Sequence, residues 1–436
     1  MDILIAVLSV LLAIMILVFV HEMGHFLTAK FFGMRVERFS VGFPPKIVGK
    51  QIGETEYVIG ATPLGGYVKI AGMVDESMDT EFAEQEPEPW EFRAKPVWQR
   101  IVVITAGVIF NILLAALIFI GIKAAYGEAT PLAHEDGSVF VADSSLAHTI
   151  GLRTGDRILA IGGRPFDPYD DTGSFDALLA DDLTLTVECG GDTLTFQGPD
   201  DIVTQLTRAG GLGISSQPSV VGAILAGSPA EQIGLQEGDR IVTVGGVPVR
   251  FWVELTEQVQ ASGGGELDLA WARPGVDSLL TARVAPIEES GRYLVGFQYA
   301  ERFREYGPVE AVGAGVRETW VTTKGTAVNL FRIATGRENF RENLGGPIMV
   351  AKYTGQAARA GLRNFWQIVA LLSITLAIVN ILPIPALDGG HLVFLIYEGI
   401  TRREPSLRVR MVMQQVGMVL LLTLMVFLFV NDILRL

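Results

Sequence analysis

Apolar residues run from Ile3 to Val20 with Ser9 as the only polar interruption. Eighteen residues at a rise of 1.5 Å cover about 27 Å, most of a bilayer core, so the run is expected to span a membrane and to continue as helix to about Phe26. Three more runs are long enough to do the same: Ile101 to Ile122, about Phe365 to Tyr397, and Met411 to Val430. Between the first two lies EYVIGATPLGGYVKIAG, residues 56–72, whose alternation and paired glycines predict a β-hairpin. Its Ala61, Pro63, Leu64 and Tyr67 are apolar enough to lie against the membrane. Acidic residues dominate from Asp75 to Glu91, which reads as a solvated loop.

The long polar segment between the second and third runs repeats itself. GLRTGDRILAIGGRPF from Gly151 aligns without gaps to GLQEGDRIVTVGGVPV from Gly234, an offset of 83 residues, and Ser145 and Ala147 match Ser228 and Ala230 at the same offset. A duplicated, β-rich domain is the direct inference. The boundaries expected are 1–126 for the N-terminal membrane part, 127–215 and 216–305 for the two copies, 306–364 for an amphipathic connection, and 365–436 for the C-terminal membrane part.

Composition agrees with a membrane protein: 49% of the 436 residues are hydrophobic. A net charge of −14 argues against nucleic acid as a partner. The lone Cys189 permits no internal disulfide and no cysteine metal site, and reads as a small buried apolar residue. Basic residues orient the spans. Lys30, Arg35, Arg38, Lys46 and Lys50 follow the first, Arg93, Lys95 and Arg100 precede the second, and Arg402, Arg403, Arg408 and Arg410 lie between the last two. By the positive-inside rule these loops are cytoplasmic, so both termini and the repeats face outward, which in a bacterium is the periplasm.

The chemistry starts at HEMGH, residues 21–25, which prolongs the first span. On a helix His21 and His25 share a face and can hold one Zn²⁺, with Glu22 beside them as a base acting on water. A catalytic zinc site normally takes three protein ligands, so a third must come from elsewhere. NILPIPALDGG, residues 380–390, supplies a candidate: its prolines and glycines must interrupt the third apolar run, and Asp388 stands inside it. An unpaired carboxylate at the bilayer centre costs roughly 2.5–3.5 kcal/mol, and a zinc ion held by the two histidines would be its partner. His391 is a rival ligand. Two other classes compete with a hydrolase, a membrane-anchored adaptor with a vestigial metal site and a transporter with broken helices. The first is disfavoured because His21, Glu22, His25 and Asp388 are all present, and the second because no inverted repeat of spans is visible.

HEMGH at the end of a first span, NILPIPALDGG in a late one, GGYVKIAG, LGGPI at 344–348 and a duplicated domain together resemble the site-2 protease family of intramembrane zinc metalloproteases. The likeness covers essentially the whole chain, and it is strongest to the bacterial members that regulate sigma-E. Each repeat resembles a PDZ domain in circularly permuted form, with GLGI at 211–214 similar to a carboxylate-binding loop. Two departures stand out: the family's GFGP reads GFPP at 42–45, and its Gly-Pro reads Gly107-Val108 in AGVIFN, with Asn111 retained.

The resemblance implies a fold of four transmembrane helices with a membrane-associated β-hairpin, plus two tandem PDZ domains. It implies His21, His25 and Asp388 as zinc ligands, Glu22 as the base, Asn380 as a donor to substrate or oxyanion, and Gly65 and Gly66 as the place where an unwound substrate strand pairs. It also implies inner-membrane location and cleavage of single-span proteins trimmed by an upstream site-1 protease, namely an anti-sigma factor in envelope stress, remnant signal peptides, or both. The PDZ copies would exclude bulky substrates or bind newly exposed C-termini.

Overall fold

The computed structural model describes residues 2–73, 86–169, 184–198, 211–289, 291–335 and 345–435. The chain folds as two compact units, Met1–Gly127 with Glu305–Leu436, and Glu128–Arg304. In the first, α1 (Asp2–Phe31) runs past the expected Phe26, because nothing between Phe26 and Phe31 breaks a helix. Gly33, at φ +64°, stops it. Next comes α2 (Val97–Tyr126), which starts after Pro96 and ends at Gly127, φ +61°. Val108 sits within this unbroken helix, so the departure from Gly-Pro leaves α2 continuous.

After the second unit the chain returns with α3 (Pro308–Ala334), α4 (Pro347–Arg359), α5 (Leu362–Ile381), α6 (Asp388–Thr401) and α7 (Leu407–Arg435). Four helices, α1, α2, α5 and α7, are long and apolar enough to cross a membrane. The third apolar run is therefore two helices, and α6 with 14 residues covers only about 21 Å. α3 is amphipathic: Gly315 packs so tightly on α2 that a Cβ there would meet the Ile120 backbone nitrogen at 2.5 Å. Its other side exposes Val309, Val312, Val316, Trp320 and Phe331. α4 is fixed by the buried Asp432 near the end of α7, whose carboxylate accepts from the backbone N–H of Gly346, Ile348 and Met349 at 2.8–3.0 Å. A carboxylate at a helix N-terminus satisfies donors the helix cannot, which explains the glycines and proline of GGPI. Leu344 of that motif lies outside the described residues, as do 75–85 of the acidic stretch.

The expected hairpin within 56–72 is not how that stretch folds. Strands β1 (Val36–Ile52) and β2 (Thr55–Ile70) pair along their whole lengths, with the turn at Gly53, φ +61°. Both strands bend, so Ser40 lies beside Tyr67 on one side and Val58 on the other. Residues 38–41 are thus flanked by both 56–59 and 66–69. Gly65 and Gly66 form no tight turn. They permit contact instead, since a Cβ on Gly65 would strike the Phe43 ring at 2.3 Å and one on Gly66 would strike Val18 of α1 at 2.7 Å. The Pro44–Pro45 peptide of the GFPP departure is cis.

The second unit contains two sheets of the same build. One orders its strands as Arg164–Pro165, Arg157–Ile161, Thr184–Cys189 and Asp192–Gln197; the other as Val247–Pro248, Arg240–Val244, Leu267–Ala272 and Leu280–Val284. Each has its own apolar core, one around Leu152, Ile161 and Leu185, the other around Ile241, Leu269 and Trp271. The repeated residues do matching work. Ser145 and Ser228 cap short helices by accepting from the backbone N–H of His148 and Glu231. Asp156 and Asp239 accept from the backbone N–H of Arg153 and Gln236, both at 2.8 Å. The paired glycines 162–163 and 245–246 all have positive φ, as a two-residue hairpin turn requires. Burial and the neighbouring Asp156 push the Cys189 thiol up to about 11, so it stays protonated and unreactive near neutral pH.

One contrast tests these electrostatics. Asp239 is buried and held by two Arg273 bonds of 2.8 and 2.7 Å, whereas the Asp268–Arg283 pair is largely exposed. Asp239→Ala should destabilise the protein by about 1–3 kcal/mol in denaturant unfolding, because it removes a buried acceptor that holds Arg273 and the Gln236 turn. Asp268→Ala should cost less than about 1 kcal/mol.

Candidate metal centre

α1 carries His21 and His25 four residues apart, so both rings leave the same face. That face meets α2 at close range because the residues between are small: a Cβ on Gly24 would lie 2.6 Å from the Ala106 carbonyl oxygen. Opposite, Gly107 fits against the two rings themselves. A methyl group there would stand 2.5 Å from His25 Nε2 and 2.6 Å from His21 Cε1. Gly107 of AGVIFN is thus a contact surface for the imidazoles, which the sequence did not reveal.

Asp388 reaches the same spot from the first turn of α6. The loop before it, 382–387, folds tightly back on that turn and holds Ala386 at φ +72°, a conformation few non-glycine residues adopt. Gly389 and Gly390 make the fold possible, since Cβ atoms there would lie 2.0 Å from the Leu382 carbonyl oxygen and 2.6 Å from that of Ile384. Gly417 of α7 presses on Pro385 in the same way, at 2.0 Å. The DGG sequence is therefore what turns the carboxylate inward.

Three ligand atoms converge. Asp388 Oδ2 is 3.2 Å from His21 Nε2 and 3.5 Å from His25 Nε2, and the two nitrogens are 3.2 Å apart. An ion with tetrahedral ligands at about 2.0–2.1 Å separates them by roughly 3.3 Å, so this triangle has the size of three zinc ligands. Asp388 Oδ2 is buried without a hydrogen-bond partner, an arrangement a cation would satisfy. The outer nitrogens are tied off. His25 Nδ1 donates to the Val103 carbonyl oxygen at 2.8 Å, which leaves the lone pair on Nε2. His21 Nδ1 lies 3.2 Å from Asn111 Nδ2, and Asn111 Oδ1 is buried without a partner. Turning that amide over lets Oδ1 accept from Nδ1–H, which satisfies Asn111 and leaves His21 Nε2 free for a metal.

The other expected residues fall as follows. Glu22 is buried, and its Cγ would be 3.1 Å from a Cβ on Gly66, so the 66–69 strand runs beside it. Among the described residues no second strand pairs with 66–69, which leaves an open edge. Asn380 Nδ2 is 3.2 Å from His21 Nε2. His391 stands apart from the three ligands and lines a cavity with Arg100 and Glu398.

Comparison with known proteins agrees with this geometry. Residues 9–424 match the model of peptidase family M50. The regulator of sigma-E protease RseP of Escherichia coli K12 is 32% identical over 471 residues, covering 98% of both chains. RseP of Salmonella typhimurium is 32% identical over 453 residues, again 98% of each. A Neisseria meningitidis serogroup A protein, named as a candidate zinc metalloprotease, is 32% identical over 458 residues, 98% of this chain and 99% of its own.

Substitutions on α2 test the centre without touching a ligand. Asn111→Leu should weaken zinc affinity by about 10- to 100-fold, the usual effect of losing an outer partner. Gly107→Ala should also lower zinc per protein, measured by elemental analysis, because its methyl overlaps both rings. Gly121→Ala on the same helix meets nothing within 4 Å and should leave zinc content unchanged.

Proposed function

Since this chain belongs to peptidase family M50 and is a zinc metalloprotease, we propose that it hydrolyses peptide bonds inside membrane-spanning segments of single-span proteins already trimmed on the outer side. The observation that carries the reading is the convergence of His21, His25 and Asp388 between helices long and apolar enough to span a membrane. A soluble protease has no reason to hide its ligands there.

His21, His25 and Asp388 would hold the zinc, which when bound would supply a water acidic enough to be a nucleophile near neutral pH and polarise the scissile carbonyl. Glu22 takes the proton from the attacking water and returns it to the leaving amine. Asn380, beside His21, donates to the substrate carbonyl oxygen as negative charge develops on it. A helical substrate hides its amides and must unwind first. The open edge at residues 66–69, next to Glu22, offers backbone groups to the unwound strand, with Gly65 and Gly66 at its start letting the strand lie close to Phe43 and α1.

The duplicated unit acts, in this reading, as a pair of PDZ domains on the periplasmic side of the inner membrane, with both termini on that side. It screens substrates for an upstream protease's cut. An anti-sigma factor and remnant signal peptides fit the requirement equally, and the names of the RseP relatives favour the first.

Two variants separate ligand from base. Asp388→Asn should lose zinc and cleavage together, whereas Glu22→Gln should keep zinc and lose turnover of a model membrane peptide. Zinc loss in Glu22→Gln would contradict the division of roles.

The screening role has its own test. Strand Glu128–Pro131 pairs with Glu301–Arg304, Glu128 opposite Arg304, so the unit's ends lie side by side and a short linker can replace it. If it works by excluding bulk, its deletion should let untrimmed substrate be cut while cleavage of trimmed substrate persists. If it works by binding a new C-terminus, deletion should slow the trimmed substrate and leave the untrimmed one resistant.

A further inference from the structure

A second buried polar group lies along α6, away from the ligands, and the reaction as described does not use it. Arg100 in the first turn of α2 forms a two-point ion pair with Glu398 in the last turn of α6, Nη1 to Oε2 at 3.0 Å and Nη2 to Oε1. Both residues are more than nine-tenths buried. Beside the pair is a cavity of about 40 Å³ whose polar lining is Arg93, Arg100, His391, Glu398, Arg410 and Gln414.

Three donors in that lining have no acceptor: Nε of Arg100, Nε of Arg410 and Nε2 of Gln414. Gln414, like Arg100, is only 4% exposed, so bulk water does not satisfy it. Native proteins rarely leave buried donors unpaired, and three on one cavity call for a common acceptor. A single water suits poorly, because it accepts at most two hydrogen bonds and must also donate, whereas an anion accepts from all three donors at once. The volume is also about three times what one water needs.

Charge points the same way. The lining holds three guanidinium groups and one carboxylate. Glu91 neutralises Arg93 at 2.6 Å, and Arg410 meets Glu404 only at 3.3 Å through a carboxylate more than half exposed. Of the three, Arg410 is the least neutralised, its carboxylate partner being exposed to solvent. Arg402, Arg403 and Arg408 add basic charge around the start of α7, where an anionic membrane surface or a solution anion would be drawn in.

We propose that this cavity binds a phosphate oxyanion, carried by a phospholipid headgroup or free in solution. The anion joins α2 and α7 through Arg100, Gln414 and Arg410, and reaches α6 through the Arg100–Glu398 pair. Since α6 begins at Asp388 and α2 carries Gly107 and Asn111, its occupancy braces the two helices that position the metal ligands.

The test uses the full-length, zinc-loaded protein in detergent and follows its melting temperature. One series adds sodium phosphate against chloride at matched ionic strength, and the other adds a short-chain phosphatidylglycerol. A saturable rise of at least about 2 °C is expected in one or both. A rise with the lipid alone identifies a headgroup, and a rise with phosphate as well identifies an anion that enters from water. Gln414→Leu and Arg410→Met should each abolish the rise without changing zinc content, and Gln414→Leu, relieved of an unpaired donor, should melt no lower than wild type without ligand. No saturable rise in either series, or a rise undiminished in both variants, overturns the proposal.

Discussion

A carboxylate buried between apolar helices cannot stay there alone, and the arrangement of the membrane unit follows from giving Asp388 its partners. Its Oδ2 faces two imidazole nitrogens and no other donor. In a low-dielectric setting such a group is stable only when a cation or a hydrogen-bonded charge offsets its desolvation. The histidines come from a helix that must stay continuous through HEMGH, and the aspartate from one that must break just before it. Continuity and interruption are therefore both required within one small volume.

Close backbone packing makes the volume small enough. Gly24, Gly107, Gly389 and Gly417 each stand where a Cβ would overlap a neighbour by several tenths of an ångström or more. Small residues between membrane helices allow such approach where the hydrophobic effect gives no drive toward it. The hydrogen bonds from His25 to Val103 and between Asn111 and His21 then fix which imidazole nitrogen faces the ion. α2 thus acts as a template, holding both rings while contributing no ligand.

The duplicated unit obeys a different rule. Two copies of one β-rich design each carry a separate core, and the residues that recur between them are caps, turn carboxylates and positive-φ glycines rather than reactive groups. Its entry and exit strands pair with each other, so it reads as an insertion into the membrane unit between α2 and α3. Insertions whose ends meet disturb the host fold least.

The four long apolar helices, the duplication, and the candidate set His21, Glu22, His25 and Asp388 were legible in the sequence as expectations, because each rests on a local signal. Apolar run length, an 83-residue self-match, an i,i+4 histidine pair and a charge inside an apolar run need no knowledge of neighbours. What lay beyond reach was whatever depends on distant backbone. Residues 56–72 looked like a hairpin by themselves, yet they pair with 36–52, because register is set by the partner strand and the turn at Gly53. Gly65 and Gly66 looked like turn residues, and only the approach of Phe43 and α1 explains them. Gly107, Asn111 and the Arg100–Glu398 pair gave no sign of their roles, since the partners of Asn111 and Arg100 lie 90 and 298 positions away and Gly107 meets rings on another helix. The sequence by itself determined which residues are candidates for the chemistry. Tertiary structure alone decided how they meet, because side-chain convergence is a property of packed helices and not of any one of them.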